Sequence, residues 1–232
     1  MSKTAPALAW VPRAWDFLLD IVYPPRCGGC GRRGTLLCDD CRVGIAPVEE
    51  GPHSVERIEA LICGGAFGGP LREAIHRFKY ESDSPLAKPL AALISDALAR
   101  DPRWVAEDGE PPVLVPVPLH PSKKRMRGYN QAELLASVLG KITGWPVEQR
   151  LVRVKATRSQ VGLDADERVE NVRDAFEWPG EVAPLRVLLV DDVCTTGATL
   201  SECAFALMSK GTEHVFAATA ARAIGYGPHV DS

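Results

Sequence analysis

The chain has 232 residues, a formal net charge of −3 at pH 7 and a pI near 6.0, and 25% of its residues are charged. This length suits one α/β domain with a small appendage better than two equal domains. The mild acidity excludes a general attraction to nucleic acid or anionic membrane, so such binding must come from local basic clusters.

The N-terminal segment predicts a short amphipathic helix, because apolar residues recur at positions 15, 18, 19 and 22 and two prolines follow at 24 and 25. We expect this helix to dock on the module that follows it. The apolar runs here are too short and too charged to span a membrane, and they lack the layout of a signal peptide. We therefore expect a cytoplasmic protein without a membrane span.

Two Cys-x-x-Cys units follow, one at Cys27 and Cys30 and the other at Cys38 and Cys41. Each unit can present two thiolates to one ion, and two units complete a tetrahedral Cys₄ zinc site of structural type. Seven cysteines without a secretion signal also indicate a reducing compartment. The arginines around the site either offset the charge of a tetrathiolate, the interpretation we favour, or form a basic patch for phosphates.

A linker rich in Pro, Gly and Glu at 47–52 divides the chain into an N-terminal helix with a zinc module, 1–46, and an α/β domain, 53–226. We expect a strand over 59–67, then one helix after residue 70 and another that ends at Arg100. The glycines between 64 and 69 lack the Lys-Ser/Thr continuation of a nucleotide P-loop, so we exclude that function.

A second basic cluster follows the strand predicted at 113–118. It contains Lys123, Lys124, Arg125 and Arg127, and we expect it to form a loop before a helix that starts at Asn130. Such a loop is either solvated or binds anions. The segment between 154 and 176 is long and polar, which suits a mobile lid.

The stretch 187–200 carries the most specific pattern. Four apolar residues predict a buried strand, Asp191 and Asp192 close it, and a turn of small residues leads into an amphipathic helix that ends at Gly211. The turn contains Thr195, Thr196, Gly197, Ala198 and Thr199. A final strand is predicted at 214–220.

The chemistry of this turn indicates a phosphate site. Gly197 allows the main chain to approach a ligand closely, and the first free N–H groups of the helix point the same way. Asp191 and Asp192 suit ribose hydroxyls or Mg²⁺. Phosphate beside a diol indicates a ribose 5-phosphate. The alternative is that the two aspartates merely cap a helix whose threonines are ordinary N-terminal residues.

This stretch resembles the 5-phosphoribosyl 1-diphosphate (PRPP) motif of type I phosphoribosyltransferases. With Val115 to Pro118, Arg127 to Gln131, the Cys₄ module and several single residues, nearly the whole chain is similar to ComF-type proteins. The single positions lie at Phe78, Lys79, Tyr80, Arg153, Gln160, Arg168 and Asn171. Cys194 falls where the phosphoribosyltransferase motif varies, so we assign it no role.

The resemblance implies a doubly wound parallel α/β sheet with a PRPP site at the carboxyl ends of its strands, preceded by a zinc module. In the enzyme hypothesis, Asp191 and Asp192 hold the ribose, the basic cluster at 123–127 and Mg²⁺ stabilise the diphosphate, and Arg168 meets this leaving group. We expect acceptor contacts from residues 53–110, the zinc module or a partner.

No side chain is evident as the base for an acceptor, which keeps a second hypothesis open. A catalytically quiet accessory protein could bind PRPP and assist DNA uptake through the uptake machinery or single-stranded DNA. Some ComF-type proteins are linked to DNA uptake in naturally competent bacteria. The intact acidic pair and threonine-rich turn favour ligand binding, whereas the low pI disfavours autonomous DNA binding.

Overall fold

The computed structural model describes residues 24–48, 54–101, 103, 110–155 and 170–223. Within these ranges the strands are β1 (Leu61–Cys63), β2 (Val113–Pro116), β3 (Val152–Arg153), β4 (Phe176–Glu177), β5 (Arg186–Cys194) and β6 (His214–Arg222). Four of them form a parallel sheet in the order β1-β6-β5-β2, and β3 pairs with β4 in a separate antiparallel ribbon.

The described helices are α1 (Asp39–Val43), α2 (Gly69–Tyr80), α3 (Ala87–Arg100), α4 (Pro121–Arg127), α5 (Gln131–Thr143) and α6 (Ala198–Met208), with a 3₁₀ turn at Ser84–Leu86. The helices expected after residue 70, up to Arg100, after Asn130 and after the threonine-rich turn are confirmed. Within the described ranges, no helix has the length and apolar character needed to cross a membrane. The predicted N-terminal helix, Arg168, Gln160 and most of the predicted lid lie outside the described residues.

Strand β5 has one apolar core on each face. Leu188 and Val190 belong to the core that contains residues of α2, α3 and α5, whereas Val187 and Leu189 belong to the core that contains α6 and β4. Successive side chains of a strand point to opposite faces, so a strand that is apolar throughout is covered on both. Helices on both faces of a parallel sheet confirm the predicted doubly wound fold.

Three local predictions differ from the structure. The strand expected over 59–67 is confined to β1, and the basic cluster forms helix α4 rather than a loop. Helix α4 begins where the His120 ring accepts a hydrogen bond from the Ser122 N–H, and it ends at Gly128, whose φ is +83°. Strand β5 continues through both aspartates to Cys194, because β6 pairs with it as far as Arg222.

Candidate functional site

The four predicted cysteines form one cluster. The sulfurs of Cys27, Cys30, Cys38 and Cys41 all lie within 4.8 Å of one another, and Cys38 Sγ is 3.6 Å from Cys27 Sγ and 3.7 Å from Cys30 Sγ. A zinc–sulfur bond of about 2.3 Å in tetrahedral geometry places sulfurs roughly 3.8 Å apart. The cluster therefore has the ligand set and spacing to hold one metal ion.

Hydrogen bonds to sulfur prepare Cys27 for the thiolate form. Burial raises its pKa, but backbone N–H donors from Cys38, Cys30 and Gly29 outweigh burial and lower the pKa to about 6. The Cys38 N–H lies 3.3 Å from Cys27 Sγ. A thiolate is the form that ligates a metal, so these donors favour metal binding.

The cysteine cluster packs against helix α2. Arg77 of α2 donates through Nη1 to the Cys27 carbonyl at 2.8 Å, and its guanidinium also pairs with Asp83. A Cβ added to Gly29 would lie 2.9 Å from Cys41 Sγ and 2.8 Å from Pro70 Cβ. Because no larger residue fits between the sulfur and the helix, the knuckle and α2 form one packed unit.

The predicted phosphate loop lies between β5 and α6, at the carboxyl edge of the sheet. Gly197 has a φ of +85° and precedes the first residue of α6, and the Thr196 hydroxyl accepts a bond from the Ala198 N–H at 3.4 Å. A Cβ at Gly197 would lie 2.6 Å from the Val55 side chain. The glycine is therefore required by backbone geometry and by packing against Val55, and Thr195 and Thr199 complete the loop.

The two aspartates meet cations from different parts of the fold. Lys79, near the end of α2, places Nζ 2.8 Å from Asp192 Oδ1, and this pair is largely shielded, with side-chain exposures of 21% and 9%. Asp191 interacts electrostatically with Arg153 of β3. Burial lowers the pKa of Arg153, and the negative charge of Asp191 offsets part of this lowering. The acid pair thus joins the α2 layer to the β3-β4 ribbon.

Asp191 titrates near neutrality. Burial and the adjacent charge of Asp192 raise its pKa to about 7, although Lys79, Arg153 and a hydrogen bond from the Asp192 N–H lower it. That N–H lies 2.8 Å from Asp191 Oδ1. Two carboxylates this close resist simultaneous ionisation, so a bound cation or hydroxyl donor would favour the doubly ionised form.

Helix α4 divides the predicted basic cluster into two faces. Lys123 and Arg127, four residues apart, are half-buried, and the pKa of Lys123 is lowered by burial and by the charges of Arg153 and Arg127. Lys124 is instead paired with Glu133 at 2.8 Å, and Arg125 is exposed. The structure therefore brings Lys123 near both Arg127 and Arg153, and it leaves Lys124 and Arg125 at the surface.

The residues after α4 connect it to α2 and β2. The Tyr129 hydroxyl donates to the Phe78 carbonyl, and Asn130 Nδ2 donates to the Val117 carbonyl at 3.0 Å. Gln131 accepts from Arg127 Nη1 at 3.2 Å and donates to Phe78 O at 3.5 Å. The Arg-Gly-Tyr-Asn-Gln sequence thus orients the basic helix relative to Lys79, the neighbour of Phe78.

Sequence reasoning did not assign Lys79 or Arg153 to the site. Both lie in positions that the family resemblance includes, and Lys79 follows Phe78 in a helix that otherwise reads as amphipathic. The sequence contains no sign that Lys79 faces an aspartate more than a hundred positions later. Only the packing of α2 on the sheet reveals the pair.

The chain is similar in sequence to several known proteins. Competence protein F of Haemophilus influenzae is 34% identical over 195 residues, which cover 82% of this chain and 82% of that protein. The chain belongs to the ComF family. DNA utilization protein YhgH of Salmonella typhimurium is 30% identical, with 91% of this chain and 95% of that protein covered. Competence protein ComFC of Bacillus subtilis is 26% identical, with 80% and 72% covered. No family model matches the chain.

This ComF protein is also similar to solved structures at lower identity. An allosteric regulatory enzyme of purine biosynthesis is 19% identical, with a TM-score of 0.35 over 58% of this chain and 26% of that one. A hypoxanthine phosphoribosyltransferase from Trypanosoma cruzi is 14% identical, with a TM-score of 0.33 over 58% of this chain and 62% of that one.

Proposed function

We propose that this ComF protein binds PRPP, or another ribose 5-phosphate, with Mg²⁺ and transfers the phosphoribosyl group with release of diphosphate. The observation that supports the proposal is the meeting of an acidic pair with several cations beside a threonine-rich turn, at the carboxyl edge of a parallel sheet. Ligands of open α/β sheets bind at this edge.

In this proposal the turn 195–199 holds the 5-phosphate. The first N–H groups of α6 are free of helical partners and carry the positive end of the helix dipole. The hydroxyls of Thr195, Thr196 and Thr199 supply further donors, and Gly197 and Ala198 bring the backbone close without a large side chain.

Asp191 and Asp192 would accept hydrogen bonds from the ribose hydroxyls, and their oxygens suit Mg²⁺. Magnesium, when bound, would neutralise charge on the diphosphate. Lys79 pairs with Asp192, and in this proposal its ammonium group would turn from the carboxylate toward ligand oxygens when the ligand binds. Both carboxylates must be ionised for these contacts, which requires Asp191 to lose its proton.

Lys123, Arg127 and Arg153 would stabilise the diphosphate as negative charge develops on it. An acceptor lone pair forms the new bond to C1, and the electrons of the C1–oxygen bond leave with the diphosphate. We retain Arg168 as a further contact to the leaving group. Lys124 and Arg125 are weaker candidates, since one is paired with Glu133 and both are exposed.

Thermal denaturation tests the donor site. A ligand that binds only the native state stabilises it by roughly 2.7 kcal/mol at a hundredfold excess over Kd, or about 5–10 °C for a chain of this size. We expect this shift with PRPP and Mg²⁺, a smaller shift with ribose 5-phosphate and none with adenine. Release of diphosphate from PRPP against a panel of acceptors, followed by mass spectrometry, tests transfer.

Two variants and a matched control sharpen this experiment. Asp192→Asn and Thr196→Val should reduce the PRPP shift. Thr212→Val is the matched control, because it makes the same chemical change at a different threonine. Thr212 is buried and its Oγ1 has no hydrogen-bond partner in the described structure, so the PRPP shift should persist in this variant. An unchanged melting temperature of wild-type protein at millimolar PRPP and Mg²⁺ would reject the proposal.

The names of the relatives favour a second candidate, an accessory role in DNA uptake. In that case, single-stranded DNA should bind with sub-micromolar affinity and a steep salt dependence, through cations such as the exposed Arg125. If the cations serve ligand phosphates alone, single-stranded DNA should bind weakly at physiological salt.

For the cysteine cluster we propose one structural zinc ion. All four positions of a tetrahedral site are supplied by the chain, which leaves no open position for a substrate. All seven cysteines are free thiols, which is consistent with our proposal of a reducing, cytoplasmic location.

A further inference from the structure

Arg222, the last residue of β6, carries a buried guanidinium. The residue is 8% exposed, and Nη1 donates to the sulfur of Cys194. Nε is buried and has no hydrogen-bond partner within the described structure. A buried donor without a partner is strongly unfavourable, so it calls for an explanation.

The groups around this guanidinium do not compensate its charge. Burial raises the pKa of Cys194 to about 12, and burial also raises the pKa of Cys63, so both neighbouring thiols are neutral at pH 7. Among the described residues, no carboxylate forms an ion pair with Arg222. A buried charge is normally paired, and the residues that the structure describes supply no anion in that role.

Backbone pairing does not require this side chain. The Arg222 N–H donates to Gly65 O at 2.9 Å and its carbonyl accepts from the Phe67 N–H at 2.7 Å, bonds that any residue except proline can make. An apolar residue at this strand end would keep both bonds and avoid burying a charge.

The position of Arg222 points to a ligand. Arg222 pairs in register with Cys194, the residue directly before the turn 195–199. It therefore lies at the carboxyl edge of the sheet beside the proposed phosphate loop, and it comes from a strand that supplies none of the cations described above.

We infer that Arg222 is an anion-binding residue of this edge, whose guanidinium contacts the oxygens of a phosphate or carboxylate group. A planar guanidinium binds both groups in the same forked geometry. The inference rests on the proposed function only for the source of the anion. That source is the 5-phosphate of the donor or an acidic group on the acceptor.

Binding measurements with the full zinc-loaded chain test the inference. The probes are inorganic phosphate, ribose 5-phosphate and benzoate, each titrated by calorimetry into wild-type protein, Arg222→Met and Arg222→Lys. Arg222→Met should bind at least one probe about tenfold or more weakly than wild type, as expected for a lost charge-assisted hydrogen bond. The affinity of Arg222→Lys for that probe should be intermediate. Arg186→Met, at the amino end of β5, is the matched control and should match wild type.

The probe that is lost identifies the source of the anion. If Arg222→Met loses affinity for ribose 5-phosphate and phosphate, Arg222 contacts the 5-phosphate of the donor. If it loses affinity for benzoate alone, Arg222 contacts an acidic group of the acceptor. Equal affinities of wild type and Arg222→Met for every probe overturn the inference, as does a wild-type protein that binds none. Wild-type binding of benzoate or phosphate without ribose 5-phosphate would instead reject the proposed function and leave Arg222 as an anion site.

Discussion

The cysteine cluster and the carboxyl edge of the sheet bring together chemical groups over very different lengths of chain. All four metal-ligand candidates lie within residues 27–41. The edge instead draws Lys79 from α2, Arg153 from β3, the acid pair from β5 and Arg222 from β6. The first site depends on local spacing, and the second depends on how distant elements pack.

Helix α2 contacts both regions. Arg77 holds the Cys27 carbonyl at 2.8 Å, and Lys79, two residues later, holds Asp192 at 2.8 Å. The cysteine cluster therefore supports the helix that carries Lys79 to the carboxyl edge of the sheet. Substitutions in the cysteine cluster should therefore also disturb the carboxyl edge of the sheet. Substitutions at that edge should leave the cysteine cluster intact.

The largest expected effect is loss of the metal. The double variant Cys27→Ser with Cys38→Ser should contain no zinc, and its melting temperature should fall by about 10 °C or more, because metal-binding energy is folding energy. Metal analysis and calorimetry measure this. Cys63→Ser, outside the cluster, should keep one zinc per chain. A metal-free preparation that melts like wild type would contradict the zinc assignment.

Breaking the shielded ion pair should have the next largest effect. Lys79→Met leaves Asp192 buried without its cation, which should cost about 2 kcal/mol of unfolding free energy, less than for a fully buried pair because Lys79 keeps some exposure. Chemical denaturation measures it, with Lys88→Met on the exposed face of α3 as control. The zinc content should be normal in both variants. Equal unfolding free energies of the two variants would show that the Lys79–Asp192 pair contributes nothing to stability.

Two adjacent lysines of α4 provide a finer test of which cations bind the diphosphate. Lys123 is half-buried near Arg153, whereas Lys124 is paired with Glu133 at the surface. Lys123→Met should weaken diphosphate binding by about tenfold, and Lys124→Met by less than about twofold. Calorimetric titration with diphosphate compares them. Equal losses would mean that α4 binds anions through its surface.

The last prediction concerns the pH dependence of stability. The folded-state pKa of Asp191 is about 7 against an ordinary value of 3.8, so the folded state holds this proton more tightly. The contribution of Asp191 to stability should therefore fall as pH rises from about 4 to 7 and then level off. Asp191→Asn should gain stability relative to wild type across this range, in thermal scans of the zinc-loaded proteins without added Mg²⁺. A constant difference between the two proteins would contradict the raised pKa.

Much of the fold was predictable because its signals are local. The apolar run at 187–190 marks a strand buried on both faces, Asn130 caps α5 through its bond to the Ala132 N–H, and Gly144 ends that helix with a φ of +76°. The bounds of β5 were not predictable in the same way. Its last four residues are strand because β6 offers partners to them.

The same distinction holds for the sites. Cysteine spacing and the order of strand, acidic pair, turn and helix are properties of neighbouring residues, so the sequence by itself determined the Cys₄ cluster and the location of the proposed phosphate loop. Which charges face the loop is a property of packing. Tertiary structure alone decided that Lys79 rather than Lys124 meets an aspartate, and that Arg222 is buried beside two neutral thiols. The physical reason is that charge pairing depends on distance and burial, which chain position does not specify for residues on separate elements.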